Sequence, residues 1–352
     1  MLDELYDRRF YGLNFTYTEF NGMPYQRLGS SGLRVARVGL GTWKFGYPER
    51  QDGSRVGRDA AFRILDRALE LGVTFWDTAN RYNESSGNSE RVLGEWFRQH
   101  PGERRNIVLA TKLGGAMDGI TPNHCGLSRA NVLDSVYASL DRLQIERIDL
   151  LQFHRIDPEV PVDESLEAVA DLRRQDLVRY FGLSNATVAD LEAYGRHAHL
   201  ARVCSVQNSF NPLTGARPGQ EDVLAYCASH GIALIPYSPL LRGLLTNRYL
   251  PGRQVGPGDR LVDEGELERL LQGDVRERLE KLATIAARLG ATVAQVSLAY
   301  LLHLPGMGPL IPSASNVAQL EENAGAVRLQ LEASVLGDLR QVFLGTNSEA
   351  KR

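Results

Sequence analysis

The sequence predicts an α/β fold of the closed (β/α)8 TIM-barrel kind, and three observations carry that prediction. Short apolar runs alternate with amphipathic segments from about Val35 to Ala324, eight such runs can be counted, and the links leaving them are long while those entering them are short. The runs are VARVGLGT (35–42), VTFWDT (73–78), IVLATK (107–112), IDLLQFH (148–154), VRYFGLS (178–184), CSVQNSF (204–210), IALIPYS (232–238) and GPLIPS (308–313). Alternation of this type builds a parallel sheet, and no GxGxxG follows the first run, which argues against an open dinucleotide-binding sheet.

Taken in order, residues 1–23 show no clear pattern and are read as an N-terminal extension, with 24–352 as one barrel domain. The stretch YQRLGSSGLRVARVGL reads as a hairpin turning at Gly29-Ser30-Ser31-Gly32, placed to plug the N-terminal end of the barrel. Between runs, Ala61, Ile64, Leu65 and Ala68 share one helical face, as do Val132, Leu133, Val136, Leu140 and Leu143. Ser128 and Asp274 are candidate N-caps for the helices that follow them. Links into strands are as short as Leu71-Gly72-Val73 and His230-Gly231-Ile232, whereas 43–57, 113–127 and 239–273 are long and leave strand ends. A last helix over Ala333–Phe343 is expected to pack outside the barrel. In such barrels the strand-to-helix loops gather on the C-terminal face, so polar residues at strand ends meet there.

The 352 residues are 43% hydrophobic, enough to bury a large core, and carry a formal charge of −3. With a pI near 6.2 and acidic and basic residues interspersed, there is no basic stripe to track a phosphate backbone, so nucleic acid is not an expected partner. Three cysteines, Cys125, Cys204 and Cys227, with no CxxC spacing argue against a disulfide framework or a thiolate zinc site. The charged start MLDELYDRRF does not read as a signal peptide and no apolar run reaches the roughly 20 residues of a membrane span. A cytoplasmic protein without membrane or metal is the expectation.

The chemistry lies in FWDTANRY (75–82), LATK (109–112) and LLQFHRID (150–157), which set Asp77, Tyr82, Lys112 and His154 at the ends of three consecutive runs. A phenol of pKa near ~10 is a poor acid at neutral pH, but a cation within ~4–6 Å favours its phenolate. Lys112 supplies that cation, Asp77 holds the ammonium charged, and His154 adds a second polar group. Singly, a Tyr after a strand is usually packing and a Lys at a strand end is usually solvated; it is their joint placement that points to proton donation.

These residues resemble the aldo-keto reductase superfamily from about Tyr25 to Phe343. GLGTW (39–43), DTANRY with GNSERVLG (87–94), ATK (110–112), HRID (154–157), GLSN (182–185), SVQNSFN (205–211), IPYSPLLRG (235–243) and IPSASNVAQLEEN (311–323) stand in the family's order. The resemblance implies a nicotinamide nucleotide extended across the C-terminal face and reduction of a small aldehyde, ketone or sugar. Tyr82 is then the general acid, Lys112 and Asp77 its tuning pair, and His154 the group that orients the carbonyl. Ser184, Asn185 and Gln207 are implied to bond the nicotinamide carboxamide and Tyr237 to stack on its ring, with Gly41, Thr42 and Trp43 nearby, Trp43 as a pocket wall. Ser238, Leu240, Gly243 and Arg248 from the turn and loop after the seventh run, then Ser313, Ser315, Asn316, Gln319, Glu322 and Asn323 around the last, are implied to hold the rest of the nucleotide.

The last group departs from the better-known pattern, which has basic side chains there for the 2′-phosphate of NADPH; the branch that includes the potassium-channel β subunits is similar to this chain in that respect. Arg248, with Arg253 or Arg260, is the basic contribution from the loop, and NADPH is preferred with NADH as the alternative. Gln319 also fits a capping box with Asn316. Met117, His124 and Tyr47 are loop residues within reach of a substrate. Other readings are a nucleotide-sensing regulatory subunit, an NAD(P)-dependent dehydrogenase running in the oxidative direction, and a metal-dependent hydrolase that lacks paired ligands. The substrate and the oligomeric state are not legible.

Overall fold

A strand covered on both faces needs apolar side chains at nearly every position, and the runs have that composition. The structure, a computed structural model, describes residues 15–117, 119–215, 219–250 and 252–344. Most of the N-terminal extension, 1–14, therefore lies outside the described residues. Ten strands form among the described residues: β1 Glu19–Phe20, β2 Met23–Arg27, β3 Arg34–Ala36, β4 Leu40–Gly41, β5 Phe75–Asp77, β6 Val108–Leu113, β7 Ile148–Phe153, β8 Val178–Ser184, β9 Val203–Ser209 and β10 Ala233–Tyr237. β4 to β10 make a seven-stranded sheet in chain order, every neighbouring pair parallel.

The eighth run closes the ring. Gly39 N donates to Leu310 O at 2.7 Å and Leu310 N to Arg37 O at 3.0 Å on one side. On the other, Leu234 N donates to Gly306 O at 2.9 Å and Gly308 N to Leu234 O at 2.7 Å. The fold is the TIM barrel that the sequence predicts.

The run 35–42 is not one strand. Val35 and Ala36 belong to β3, which pairs antiparallel with β2 (Tyr25 opposite Ala36, Arg27 opposite Arg34), and the barrel strand is only Leu40–Gly41. One continuous apolar stretch serves two sheets, and a period-2 pattern does not record where the chain bends. The hairpin turn packs against the barrel floor through Gly29, whose φ is +58°. A Cβ there would lie 2.5 Å from Gly231 O, so a side chain is excluded by both conformation and space.

The barrel interior is layered because successive inward positions are two residues apart along each strand. Leu28 and Val35 of the hairpin meet Phe75, Ala110, Leu150, Ile235 and Ile311 in one apolar cluster at the bottom. One inward step higher the same strands present Asp77, Lys112 and Gln152, joined by Gln207 of β9. Each polar residue thus stands on a packed apolar layer.

Outside, helix Arg58–Glu70 buries Ala61, Ile64, Leu65 and Ala68, and helix Arg129–Leu143 buries Val132, Val136, Leu140 and Leu143. Burying each Ile, Leu or Val of these faces stabilises the fold by roughly 1.5–3 kcal/mol. Ser128 caps the second helix by accepting from Asn131 N. Asp274 occupies the N-cap position of helix Val275–Arg288 but accepts no capping bond; its carboxylate pairs with Arg278 at 3.5 Å. The last helix, Ala333–Leu344, lies against Val275–Arg288, whose Arg278 Nε donates to Val342 O at 2.7 Å. No single helix among the described residues is long and apolar enough to cross a membrane.

Candidate active site

The polar layer at the top of the barrel converges on one carboxylate. Lys112 Nζ donates to Asp77 Oδ1 at 2.6 Å, to Thr78 O at 2.8 Å and to Tyr82 Oη at 2.9 Å. Asp77 also accepts from the Tyr82 hydroxyl at 3.3 Å, from Gln207 Nε2 at 2.8 Å and from Gln152 Nε2 at 3.3 Å. Asp77 and Lys112 are each only 1% exposed, whereas Tyr82 is half-buried. A buried ion pair is tolerated when its remaining donors and acceptors are satisfied, and the two glutamines do that here.

Sequence reasoning expected Lys112 to lower the Tyr82 pKa, and the site does the opposite. Burial, reinforced by the Asp77 carboxylate, holds the phenol well above its ordinary value of 10. Lys112 donates to both Asp77 and the phenol oxygen, but in the resting site burial and the Asp77 carboxylate outweigh that contact, and burial itself lowers the lysine pKa. Tyr82 is therefore a fully protonated donor, suited to give its proton only to a strong base formed beside it.

His154 stands edge-on to Tyr82 with ring centroids 6.1 Å apart. Burial, then the nearby charges of Lys112, Arg155 and Arg81, push its pKa down to about 3. At pH 7 His154 is then neutral, a hydrogen-bonding ring rather than a cation. Its buried Nδ1 has no partner among the described residues.

The residues implied to hold a nicotinamide ring form a chain of hydrogen bonds on the same rim. Ser184 Oγ donates to Gln207 O at 2.7 Å, Asn185 Nδ2 to His154 O at 2.9 Å, and the Tyr237 hydroxyl to Asn185 Oδ1 at 2.8 Å. Asn185 and Ser238 both have φ of +54°, an uncommon conformation for non-glycine residues that sets the two turns after β8 and β10. On the opposite rim Gly41 pairs with Asp77 and bridges to Ser313, and Thr42 donates from N and Oγ1 to Asp77 O at 2.9 and 3.0 Å.

Comparison with known proteins gives the family. The model of the aldo/keto reductase family matches residues 37–343. The chain belongs to the aldo/keto reductase family. It is 33% identical over 93% of its length to an uncharacterised oxidoreductase, YrpG, of Bacillus subtilis, covering 98% of that protein. It is 31% identical over 91% of its length to a probable voltage-gated potassium channel subunit beta of Arabidopsis thaliana, covering 97% of it. With versiconal hemiacetal acetate reductase of Aspergillus parasiticus it shares 28% identity over 92% of this chain and 97% of that one.

Within this aldo/keto reductase chain the loops bring together a group that sequence reasoning missed. Lys44 is 6% exposed, and its ammonium lies 3.7 Å over the Trp43 ring with no carboxylate partner among the described residues. Arg260 approaches the same ring at 4.6 Å, and burial with the charges of Arg260, Arg55 and Arg242, opposed by Glu264, pushes the Lys44 pKa down to about 7. The acids of the long loop are engaged elsewhere: Asp263 with Arg55 at 3.3 Å, and Glu264 with Arg260 at 2.8 Å and Arg242 at 3.3 Å. A sequence shows Lys44 in a loop but not Arg242 and Arg260, which meet it from some two hundred residues away.

The remaining residues named from the sequence are placed as follows. Arg248 is half-exposed and held by both oxygens of Asp259, and Tyr47 is buried with its hydroxyl on Glu95 at 2.5 Å, turned into the helical layer. Leu240 is partly buried, and Gly243 turns at φ +99° in the same loop. His124 is exposed and bonded to Thr121. Asn316 caps helix Val317–Gly325 by accepting from Gln319 N at 2.9 Å, and Gln319 Oε1 accepts from Ser315 N at 2.8 Å. Ser313 and Ser315 are exposed beside that N-terminus, Glu322 is partly buried and Asn323 is buried.

Proposed function

We propose that the chain is an NADPH-dependent reductase of a small aldehyde, ketone or sugar carbonyl. The observation that carries this reading is the contact of Lys112 with both Asp77 and Tyr82 beside a neutral His154. The nucleotide, when bound, supplies the hydride to the carbonyl carbon. His154 hydrogen-bonds the carbonyl oxygen and fixes its direction; Tyr82 gives its hydroxyl proton to the oxygen as charge builds on it, and Lys112 stabilises the phenolate left behind. Asp77 keeps Lys112 in register with Tyr82 throughout.

The residues fit such a nucleotide. Ser184, Asn185 and Gln207 offer amide and hydroxyl groups for the carboxamide, and Tyr237 offers its ring face. Lys44 and Arg260 are matched to a diphosphate, since among the described residues Lys44 has no salt-bridged carboxylate and a largely buried cation in that state favours an anion that reaches it. Helix Val317–Gly325 presents free backbone N–H groups beside Ser313, Ser315, Asn316 and Gln319, with Glu322 and Asn323 one turn on, for the 2′-phosphate end.

The test is nucleotide absorbance with NADPH and NADH against short aldehydes, aromatic aldehydes and aldoses, beside equilibrium binding of both nucleotides. Turnover with preference for NADPH supports the reading. Tight nucleotide binding without turnover of any carbonyl would replace it with a nucleotide-binding regulatory subunit; two relatives are named as voltage-gated potassium channel beta subunits.

A further inference from the structure

Tyr82 is followed by two consecutive non-glycine residues in the left-handed region, Asn83 at φ 56°, ψ 68° and Glu84 at φ 57°, ψ 35°. L-residues rarely adopt that conformation, and two in succession persist only where surrounding contacts over-determine them. Asn83 is the residue so held. It is 5% exposed, and its Nδ2 donates to Phe45 O at 2.5 Å.

Phe45 belongs to the loop after β4 that also carries Trp43 and Lys44, and this loop is tied to the active site at its other end too. Thr42 donates twice to Asp77 O, Phe45 N donates to Thr42 O at 2.9 Å, and Gly46 N donates to Val56 O at 3.0 Å. A second clamp lies beyond Asn83: the buried carboxylate of Asp52 accepts from Tyr47 N at 2.9 Å, Ser54 N at 3.0 Å and Asn88 Nδ2 at 2.8 Å. Asn88 opens the helix that follows the Tyr82 turn. Asn83 and Asn88 thus bind the segment after Tyr82 to the same loop, one on each side of the turn.

We infer that Asn83 is a positioning residue, whose amide on the Phe45 carbonyl locks the Tyr82 turn to the loop after β4 and so holds the phenol within reach of Lys112. The inference rests on the reading of Tyr82 as the proton donor. Asparagine suits the position twice over, since it tolerates φ above zero and its amide supplies the donor. Glycine would keep the conformation and lose the bond; aspartate would keep the shape and set an acceptor against an acceptor.

The experiment compares the full chain with Asn83→Gly, Asn83→Asp and Tyr82→Phe in carbonyl turnover, nucleotide affinity, thermal midpoint and solvent deuterium isotope effect. A displacement of the acid by a fraction of an ångström predicts that Asn83→Gly lowers kcat by roughly tenfold or more. The thermal midpoint falls only by the cost of one lost buried hydrogen bond, nucleotide Kd changes by much less than kcat, and the solvent isotope effect grows as proton transfer becomes slower. Asn83→Asp should fall further. A parent-like kcat and isotope effect in both variants would overturn the inference. A readout independent of substrate is the ultraviolet phenolate titration of each chain minus that of its Tyr82→Phe counterpart. The Tyr82 signal, which Asn83→Gly should shift to lower pH by releasing the phenol from burial, overturns the proposal if it stays in place. Parent-like turnover by Tyr82→Phe would instead overturn the acid assignment, a failure separate from this one.

Discussion

Lys112 and Lys44 are both buried lysines on the C-terminal side of the barrel, and they differ in one respect. Lys112 has a carboxylate at 2.6 Å and two further acceptors, whereas Lys44 has the Trp43 ring and three arginines around it. The first is complete within the protein, so its charge is available for internal proton chemistry. The second has no salt-bridged carboxylate among the described residues, only the more distant Glu264 opposing the arginines, so it is open to an anion from outside. On the proposed reading, the first serves the reaction and the second serves binding.

The largest effect expected from that contrast is in Lys112→Met. Removing one member of a buried pair leaves Asp77 as an uncompensated charge, which costs about 3–5 kcal/mol of stability in urea denaturation. Turnover should fall by roughly 10²–10⁴ while nucleotide still binds.

Lys44→Met should behave in the opposite sense. Loss of a charge-assisted contact weakens nucleotide binding by roughly 10–100-fold. The thermal midpoint measured without added nucleotide rises, because an unpaired buried cation has been removed. A lowered midpoint would show that Lys44 has a counter-ion after all.

Next in size is the pH response of the same lysine. Its pKa in the folded chain is about 7 against an ordinary 10.5. Between those values the unfolded chain binds more protons than the folded one, so stability without added nucleotide should rise with pH through that window. A bound anion raises the folded pKa, so binding strength is fully present below about pH 7 and is lost progressively above it. Stability and affinity therefore run in opposite directions with pH, and Lys44→Met removes both slopes; titrations of melting midpoint and of NADPH Kd from acid to alkaline pH check it.

The smallest effect is expected at Arg248, which the resemblance placed on the nucleotide. Held by Asp259 at the surface, it should change NADPH Kd by less than about twofold on substitution with Ala.

Local pattern made much of this legible. Asp77 and Lys112 lie at the ends of consecutive runs, so their meeting followed from the runs alone, whereas Gln152, which joins them from the next strand, was not singled out. The boundary inside 35–42 did not, because Val35 and Leu40 look alike although one serves the hairpin and the other the barrel. Tyr47 was placed near substrate by its loop, yet its hydroxyl found Glu95 on a helix that the sequence could not bring to it. The Lys44 and Arg260 pair was invisible for the same reason, since loop conformation decides which distant charges meet. The pKa direction of Tyr82 was misjudged because sequence spacing shows which charges are near but not how completely they cancel or how deeply they are buried.

The account turns on Tyr82 as the proton donor, and the most direct measurement is NADPH-dependent carbonyl turnover by Tyr82→Phe beside nucleotide affinity. The prediction is loss of turnover with NADPH Kd nearly unchanged, since only the hydroxyl is removed. Turnover equal to the parent chain would contradict it and place the acid on another group.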